Sequence, residues 1–311
     1  MAEAIRTEGL RRSFGDAVAV EGLTFSVEEG ELFGLVGPDG AGKTTVMRLL
    51  SGILDPTEGD AWVMSRSVRK ETAAVQRVIG YMSQRFGLYP DLTVWENLRF
   101  YADLYGVSRR EREERVPELL AFSGLGPFRR RLAGNLSGGM KQKLGLSCAL
   151  VHKPGVLLLD EPTNGVDPVS RRDFWNILYR LLKERVTIFV STAYLDEAER
   201  FMRLALLHGG RLLAMGTPDE VKRLYAGVIL EVRCADPRRG RIVLKGGFPG
   251  AMVGLFGDRI HAGGPGLALS ADAVREALEG SGIPVLGIRS VEPGLEDVFV
   301  SALPSEAGAS E

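Results

Sequence analysis

The segment GPDGAGKT at residues 37–44 lies between the apolar run LFGLVG at 32–37 and a helical pattern that begins at Lys43. A continuous apolar run of that length reads as a strand covered on both faces. A glycine-rich turn between such a strand and a helix is a phosphate-binding loop. Gly37, Gly40 and Gly42, with Pro38, Asp39 and Ala41 among them, let the backbone curl so that successive N–H groups converge on one anion, and the helix N-terminus adds a partial positive charge. In this pattern Lys43 reaches the β- and γ-phosphates, Thr44 offers its hydroxyl to Mg²⁺, and Thr45 bonds on the α-phosphate side.

Working outward, VLLLD at 156–160 and VTIFVS at 186–191 read as further buried strands, and short β-rich runs alternate with helical patterns from Ile5 to about Ala226. This predicts an α/β domain on a largely parallel sheet, residues 1–226. The first of these strands delivers Asp160 to the C-terminal edge of the sheet, where a carboxylate holds the water shell of Mg²⁺; the next residue, Glu161, is placed to orient and polarise an attacking water. Residues 92–148 show helical periodicity, dense charge and no convincing strand, which predicts an inserted helical subdomain over about 92–150. LALLHGGRLLAMG at 204–216 reads as two strands joined at Gly209 and Gly210, followed by a helix with Thr217 as N-cap and Pro218 at its first position.

After Gly227 the texture changes. VILEVRC, RIVLKG and PVLGIRSV read as short strands, and helices are expected near 271–279 and 295–302, giving a small C-terminal α+β domain over 227–303. The glycine pairs at 246 and 263 read as turn punctuation. The polar tail 304–311 is expected to be disordered.

Composition excludes whole classes. The chain has 311 residues, 39 basic against 40 acidic side chains and 45% apolar residues, so it has enough apolar content for real cores and no global attraction to nucleic acid or an anionic bilayer. Two cysteines build no disulfide framework, and the first residues carry no signal-type apolar run. A cytoplasmic location is expected. Apolar stretches are far too short to cross a bilayer, so work at a membrane requires a partner to supply the span.

The phosphate loop and VLLLDE leave many nucleotide hydrolases open. LSGGM at 136–140, upstream of the VLLLDE strand and followed by a lysine- and glutamine-bearing helix, narrows the field because it resembles the signature of ATP-binding-cassette (ABC) proteins. Ser137 with the amides of Gly138 and Gly139 at a helix N-terminus makes a second anion site. The resemblance implies that it grips the γ-phosphate of ATP held by another subunit. Gln84 resembles the glutamine that joins the Mg²⁺ site to the helical subdomain and the membrane partner. Phe14 sits where the family places an aromatic on adenine, usually Tyr; a core or edge aromatic is the other reading. NGVDP at 164–168, with Asp167 as its acid, resembles the loop that communicates between two sites. TVWENL and STAYLDEAER look most like the ATPase subunits of bacterial drug and antibiotic exporters.

The resemblance thus implies a P-loop ABC ATPase cassette that uses ATP and Mg²⁺, works as a dimer and is held at the inner face of the membrane by permease subunits. No nucleic acid is expected: the charge is neutral, and there is no coiled-coil insertion or basic linker. One residue departs from the pattern. The family places a histidine that contacts the γ-phosphate and the attacking water where this chain has Ala193, and His152, His208 and His261 lie outside the motif, reading as surface or turn residues. Losing one preorganised donor costs about 10² to 10³ in rate. The chain's own phosphate-loop site is therefore expected to bind ATP and hydrolyse it slowly. Two arrangements follow: an asymmetric pair with a histidine-bearing second cassette, or a homodimer with two slow sites. A nucleotide-dependent clamp is the alternative function, and a soluble, non-transport cassette ATPase a further one.

Among other features, RREREER at 109–115 reads as a solvated helix face, and Arg129, Arg130 and Arg131 as an ordinary surface cluster. Leu88, Tyr89, Pro90 and Leu92 form an apolar loop where the family docks the membrane subunit's short cytoplasmic helix.

Overall fold

The computed structural model describes residues 2–85, 87–225, 227–264 and 269–302. The tail 304–311, expected to be disordered, lies outside the described residues. The chain divides into two compact units, Met1–Leu212 and Leu213–Glu311.

In the first unit, β1 (Glu3–Phe14), β2 (Ala17–Glu28), β4 (Glu58–Val63) and β5 (Arg66–Ser67) form an antiparallel sheet in the order β2-β1-β4-β5. The larger sheet, ordered β10-β9-β3-β8-β7-β6, holds β3 (Leu32–Val36), β6 (Ile79–Met82), β7 (Val156–Asp160), β8 (Thr187–Thr192), β9 (Arg203–His208) and β10 (Arg211–Gly216). Pairing is parallel from β9 through β3, β8 and β7 to β6. Every residue of β3, β7 and β8 is buried, as coverage on both faces requires. Phe25 of β2, Phe33 of β3 and Phe189 of β8 stack with centroids 5.4–6.0 Å apart and bind the two sheets into one core. Gly34 is obligatory there, because a Cβ would lie 2.1 Å from the Phe201 ring. Gly209 and Gly210, both at positive φ, turn β9 into β10.

Helix α1 (Lys43–Leu50) follows the phosphate loop and α2 (Thr72–Val78) precedes β6. The expected helical insertion consists of α3 (Val94–Leu104), α4 (Arg109–Ser123) and α5 (Gly138–Ala149), with no strand among its described residues. Capping boxes, Thr93 with Glu96 and Ser108 with Glu111, start α3 and α4, and Gly124 in the left-handed region ends α4. The face 109–115 is solvated at Arg109 and Arg110, but Arg112 and Arg115 turn inward to pair with Asp103 and Glu118. Helices α6 (Pro168–Lys183) and α7 (Leu195–Ala198) flank β8.

The second unit begins inside β10, earlier than the Ala226 boundary expected from sequence, because α8 (Pro218–Arg223) packs on α11 (Leu295–Ala302). Thr217 caps α8 in a capping box, with Pro218 at its first position. A four-stranded sheet, β12-β13-β11-β14, is made of β11 (Ile229–Cys234), β12 (Met252–Phe256), β13 (Arg259–Gly263) and β14 (Val285–Val291). Leu230 and Val232 share an apolar core with Leu244 of α9 (Pro237–Gly247) and Val274 and Leu278 of α10 (Ala271–Gly280). RIVLKG, expected as a strand, is the body of α9. Asp236 accepts from Arg239 N as N-cap and Pro237 opens the first turn, so local capping outweighs the β-branched pair Ile242 and Val243. Gly246 and Gly247 close that helix, and Gly263 ends β13.

No helix among the described residues is long and apolar enough to cross a membrane.

Candidate functional site

The turn after β3 is shaped by backbone contacts. A Cβ on Gly37 would lie 2.2 Å from Leu207 O, and one on Gly42, at φ 103°, would lie 2.4 Å from Ala19 O. Gly210 N donates to Ala41 O and Glu21 N donates to Gly210 O, so the loop is wedged between β2 and the β9–β10 turn. Gly40, also at positive φ, and the exposed Asp39 form its tip, and Pro38 contributes a carbonyl to the lysine below.

Lys43 is buried. Its Nζ donates to Gly37 O (2.8 Å) and Pro38 O (2.9 Å) and pairs with Glu161 Oε1 at 3.0 Å. Thr44 Oγ1 is 3.2 Å from Asp160 Oδ1, which also accepts from Ser191 Oγ at 2.7 Å. β8 separates β3 from β7, and Ser191 on it bridges Asp160 to the backbone N–H of Glu161 (3.0 Å). Burial pushes the Asp160 carboxyl above the usual carboxylate range, and the hydrogen bonds from Ser191 and Thr44 pull partly against it. Glu161 stands at φ 48°, a left-handed conformation that costs about 1–2 kcal/mol and turns its side chain out of the strand's alternation. Its Oε2 accepts from Gln84 Nε2 (3.1 Å) and Asn164 Nδ2 (3.2 Å).

These side chains surround a cavity of about 380 Å³ lined by Gly42, Lys43, Thr44, Thr45, Gln84 and Glu161 among others. The residues fit a magnesium–triphosphate group. A lysine now satisfied by two carbonyls and a carboxylate stands where phosphate oxygens substitute for them, the loop admits no side chain where it curls, and Thr44 with Asp160 offers hard oxygen donors to a divalent cation.

Other residues singled out from sequence lie elsewhere. Phe14 is 47% exposed, with the Arg12 guanidinium 4.6 Å from its ring centroid, so it is no core aromatic, and it does not line the cavity. Ser137 caps α5, with Oγ accepting from Met140 N, and with Gly138 it is exposed; neither lines the cavity. Gly139 is buried against Ser170 of α6, where a Cβ would lie 2.4 Å from Oγ. One turn further, fully buried Gln142 donates to Pro162 O, tying α5 to the residue after Glu161. Asp167 caps α6 through the amides of Ser170 and Val169, and hydrogen bonds from the Ser170 amide and hydroxyl above all hold its carboxyl below the usual range.

Two residues outside the sequence-derived set complete the site. Tyr194, next to the half-buried Ala193, places its hydroxyl 3.2 Å from Asn164 Oδ1. Glu197, fully buried, accepts from Thr163 (2.7 Å), Thr192 (2.8 Å) and Trp175 Nε1 (3.2 Å). Trp175, two helical turns past the cap of α6, is the sequence signal that could find it: a buried indole N–H needs an acceptor.

None of the three histidines lines the cavity. His152 stacks on Tyr105 and bonds Ile79 O, and His208 ends β9. His261, read from sequence as a surface or turn residue, is instead a half-buried strand residue bonded to Asp297 at 3.0 Å, because β13 lies inside its sheet. A groove of about 1000 Å³ opens between α2 and α3–α4, with exposed Ile53 and Leu104 beside Tyr105 and His152. In the loop before α3, Tyr89 and Pro90 are exposed while Leu88 and Leu92 are half-buried.

Residues 20–164 match the family model described as ABC transporter. The chain is 44% identical over 313 residues to the probable multidrug ABC transporter ATP-binding protein YbhF of Escherichia coli (strain K12), covering 99% of this chain and 53% of YbhF, so it spans about half the length of that relative. It is 37% identical to the Nod factor export ATP-binding protein I of Rhizobium sp. (strain N33), over 96% of each chain, and 34% identical to the linearmycin resistance ATP-binding protein LnrL of Bacillus subtilis (strain 168), over 73% and 74%. Among solved structures, cbiO1 from Clostridium perfringens, part of the ABC transporter complex cbiONQ, superposes with TM-score 0.65 at 27% identity, over 71% of this chain and 91% of that one. The dimeric, post-hydrolysis cassette MJ0796 bound to ADP and Pi gives 0.63 at 25%, over 68% and 98%.

Proposed function

Since this chain belongs to the ABC transporter family, we propose that it is the ATP-binding subunit of a bacterial exporter, a cytoplasmic ATPase peripheral on the inner face of the membrane. The convergence of Lys43, Thr44, Gln84 and Glu161 on the phosphate-loop cavity, with Asp160 bonded behind Thr44, carries this reading.

Lys43 exchanges its carbonyl and carboxylate partners for β- and γ-phosphate oxygens, and the loop amides bind the same chain of phosphates. Thr44, Asp160 and Gln84 would hold Mg²⁺, which when bound would neutralise phosphate charge. Glu161, released by Lys43, orients water and takes up its proton. Phe14 stacks on adenine. Ser137, Gly138 and Gly139 lie away from the cavity and serve the ATP held by a second cassette. Closure around two shared nucleotides and reopening after hydrolysis drive separate membrane permease subunits, whose cytoplasmic segment docks at the groove and the loop carrying Tyr89 and Pro90.

Ala193 sets the rate. Without the imidazole the chain's own site turns over slowly, which favours an asymmetric pair with a histidine-bearing cassette over a homodimer with two slow sites. The same residue favours a second reading, a nucleotide clamp with negligible turnover. ATPase assays of the purified chain separate these: Ala193→His raises the rate by about 10² if the missing donor limits it, and an unchanged, cassette-like rate refutes the slow-site reading. Copurification with a polytopic membrane protein supports the exporter assignment; copurification with ribosomes or DNA overturns it.

A further inference from the structure

Ala193 leaves a gap in the chemistry, yet Glu161 is not left to one support. Three donors reach its carboxylate: Lys43 on Oε1, and Gln84 and Asn164 on Oε2. In the reaction proposed above, Lys43 turns to the phosphates and Gln84 to the cation. Asn164 has no such second duty. Nor is its amide free to turn. A phenolic O–H donates to Asn164 Oδ1 from Tyr194, which leaves Nδ2 as the group facing Glu161.

Tyr194 is itself held from several sides. The Arg171 guanidinium lies 4.8 Å from its ring centroid, and its backbone N–H donates to Thr192 Oγ1 at 3.0 Å. Thr192 in turn donates to the buried Glu197, which also accepts from Thr163, the neighbour of Asn164. The turn at 161–164 and the segment at 192–197 are therefore joined twice, once in the core at Thr163–Glu197 and once at the cavity at Asn164–Tyr194. The outer joint is the one that ends on the reacting carboxylate.

We propose that Tyr194 is a positioning residue for ATP hydrolysis. Acting through Asn164, it holds Glu161 toward the attacking water after Lys43 and Gln84 have left, and it sustains the turnover that remains without the imidazole. This rests on the ATPase reading above. Tyr194→Phe keeps the ring and its contact with Arg171 and removes only the hydroxyl.

The test measures single-turnover hydrolysis of Mg-ATP by the full chain, alongside nucleotide affinity. Tyr194→Phe lowers the rate constant on the order of tenfold with nucleotide affinity unchanged; Asn164→Ala lowers it as far, and the double variant falls no further. Ala193→His, which supplies a donor directly, recovers the rate in the Tyr194→Phe background. In the nucleotide-free chain the Asn164 side-chain amide resonances move in Tyr194→Phe. An unchanged rate in Tyr194→Phe, additive losses in the double variant, a parallel loss of affinity, or unmoved amide resonances each overturn the positioning role while leaving the ATPase reading intact. No hydrolysis by the unmodified chain, alone or with its membrane subunit, overturns both.

Discussion

Lys43 Nζ stands 3.0 Å from Glu161 Oε1, and both side chains are buried. On the function proposed above, the two groups that flank a γ-phosphate hold each other in this structure, so ATP displaces an internal carboxylate as it enters. Glu161→Gln is expected to abolish hydrolysis and to bind ATP roughly threefold to tenfold more tightly, since Lys43 then gives up a neutral partner. Equilibrium titration with a fluorescent ATP analogue checks this; equal or weaker binding rules out the competition.

Gly139 tests whether LSGG is shaped by packing as well as by anion binding. Its missing Cβ is excluded by Ser170 Oγ and Cβ at 2.4 and 2.6 Å. Gly139→Ala should destabilise the chain by about 1–3 kcal/mol through overpacking, and Ser170→Gly should restore most of the loss. Thermal unfolding of the two single variants and the double variant decides it; a Gly139→Ala defect untouched by Ser170→Gly would argue that space is not the constraint.

Much of this was legible in the chain, for physical reasons that vary with the element. Residues 32–36, 156–160 and 187–192 announce themselves because a strand buried on both faces carries a continuous apolar stretch, with its polar residues confined to the ends. Lys43, Gln84, Asp160 and Glu161 sit in or beside motifs whose spacing encodes a local turn. The antiparallel sheet of β1 and β2 is not legible in the sequence, because repeated register shifts, between Thr7 and Leu10 and again between Leu10 and Arg12, scramble the alternation that reveals a strand. Tyr194 and Glu197 stayed hidden for another reason. Nothing local in STAYLDEAER marks one of its acids for burial, and only packing against Thr163 and Trp175, remote in sequence, buries Glu197.

That burial predicts a large effect. Glu197→Ala strips the acceptor from Thr163, Thr192 and Trp175 at once and should cost about 3 kcal/mol of stability, visible as a lowered urea midpoint. Glu197→Gln, which keeps one acceptor oxygen, should cost less. A neutral Glu197→Ala would mean that the three donors find new partners without loss.

The C-terminal unit should show its own pH dependence. Arg289, with Arg259 assisting, holds Glu231 down to about 2, while burial opposes them; the bond to Asp297 raises His261 above its ordinary value near 6.5. A lowered acid stabilises above its unfolded value near 4.5 and loses that contribution as pH falls toward 2. A raised histidine stabilises fully below 6.5 and loses its contribution as pH climbs through its folded value. Protection of the β11 and β13 amides, taken relative to the intrinsic exchange rate at each pH, should therefore fall at both ends. His261→Asn should flatten the alkaline side alone; an unchanged alkaline limb would show that Asp297 does not depend on the imidazolium.

The wedging of the phosphate loop between Ala19 and Gly210 bears on when disorder is lost. Curling a glycine-rich segment is entropically expensive, and a loop that curled only around its ligand would charge that cost against affinity. Here main-chain contacts from β2 and the β9–β10 turn impose the curl at folding. Nucleotide thus meets a finished mould. Its arrival should leave the loop's backbone conformation almost unaltered, slowing exchange only at the amides that take up phosphate oxygens, and the entropy of association should reflect released water and counter-ions more than ordered backbone.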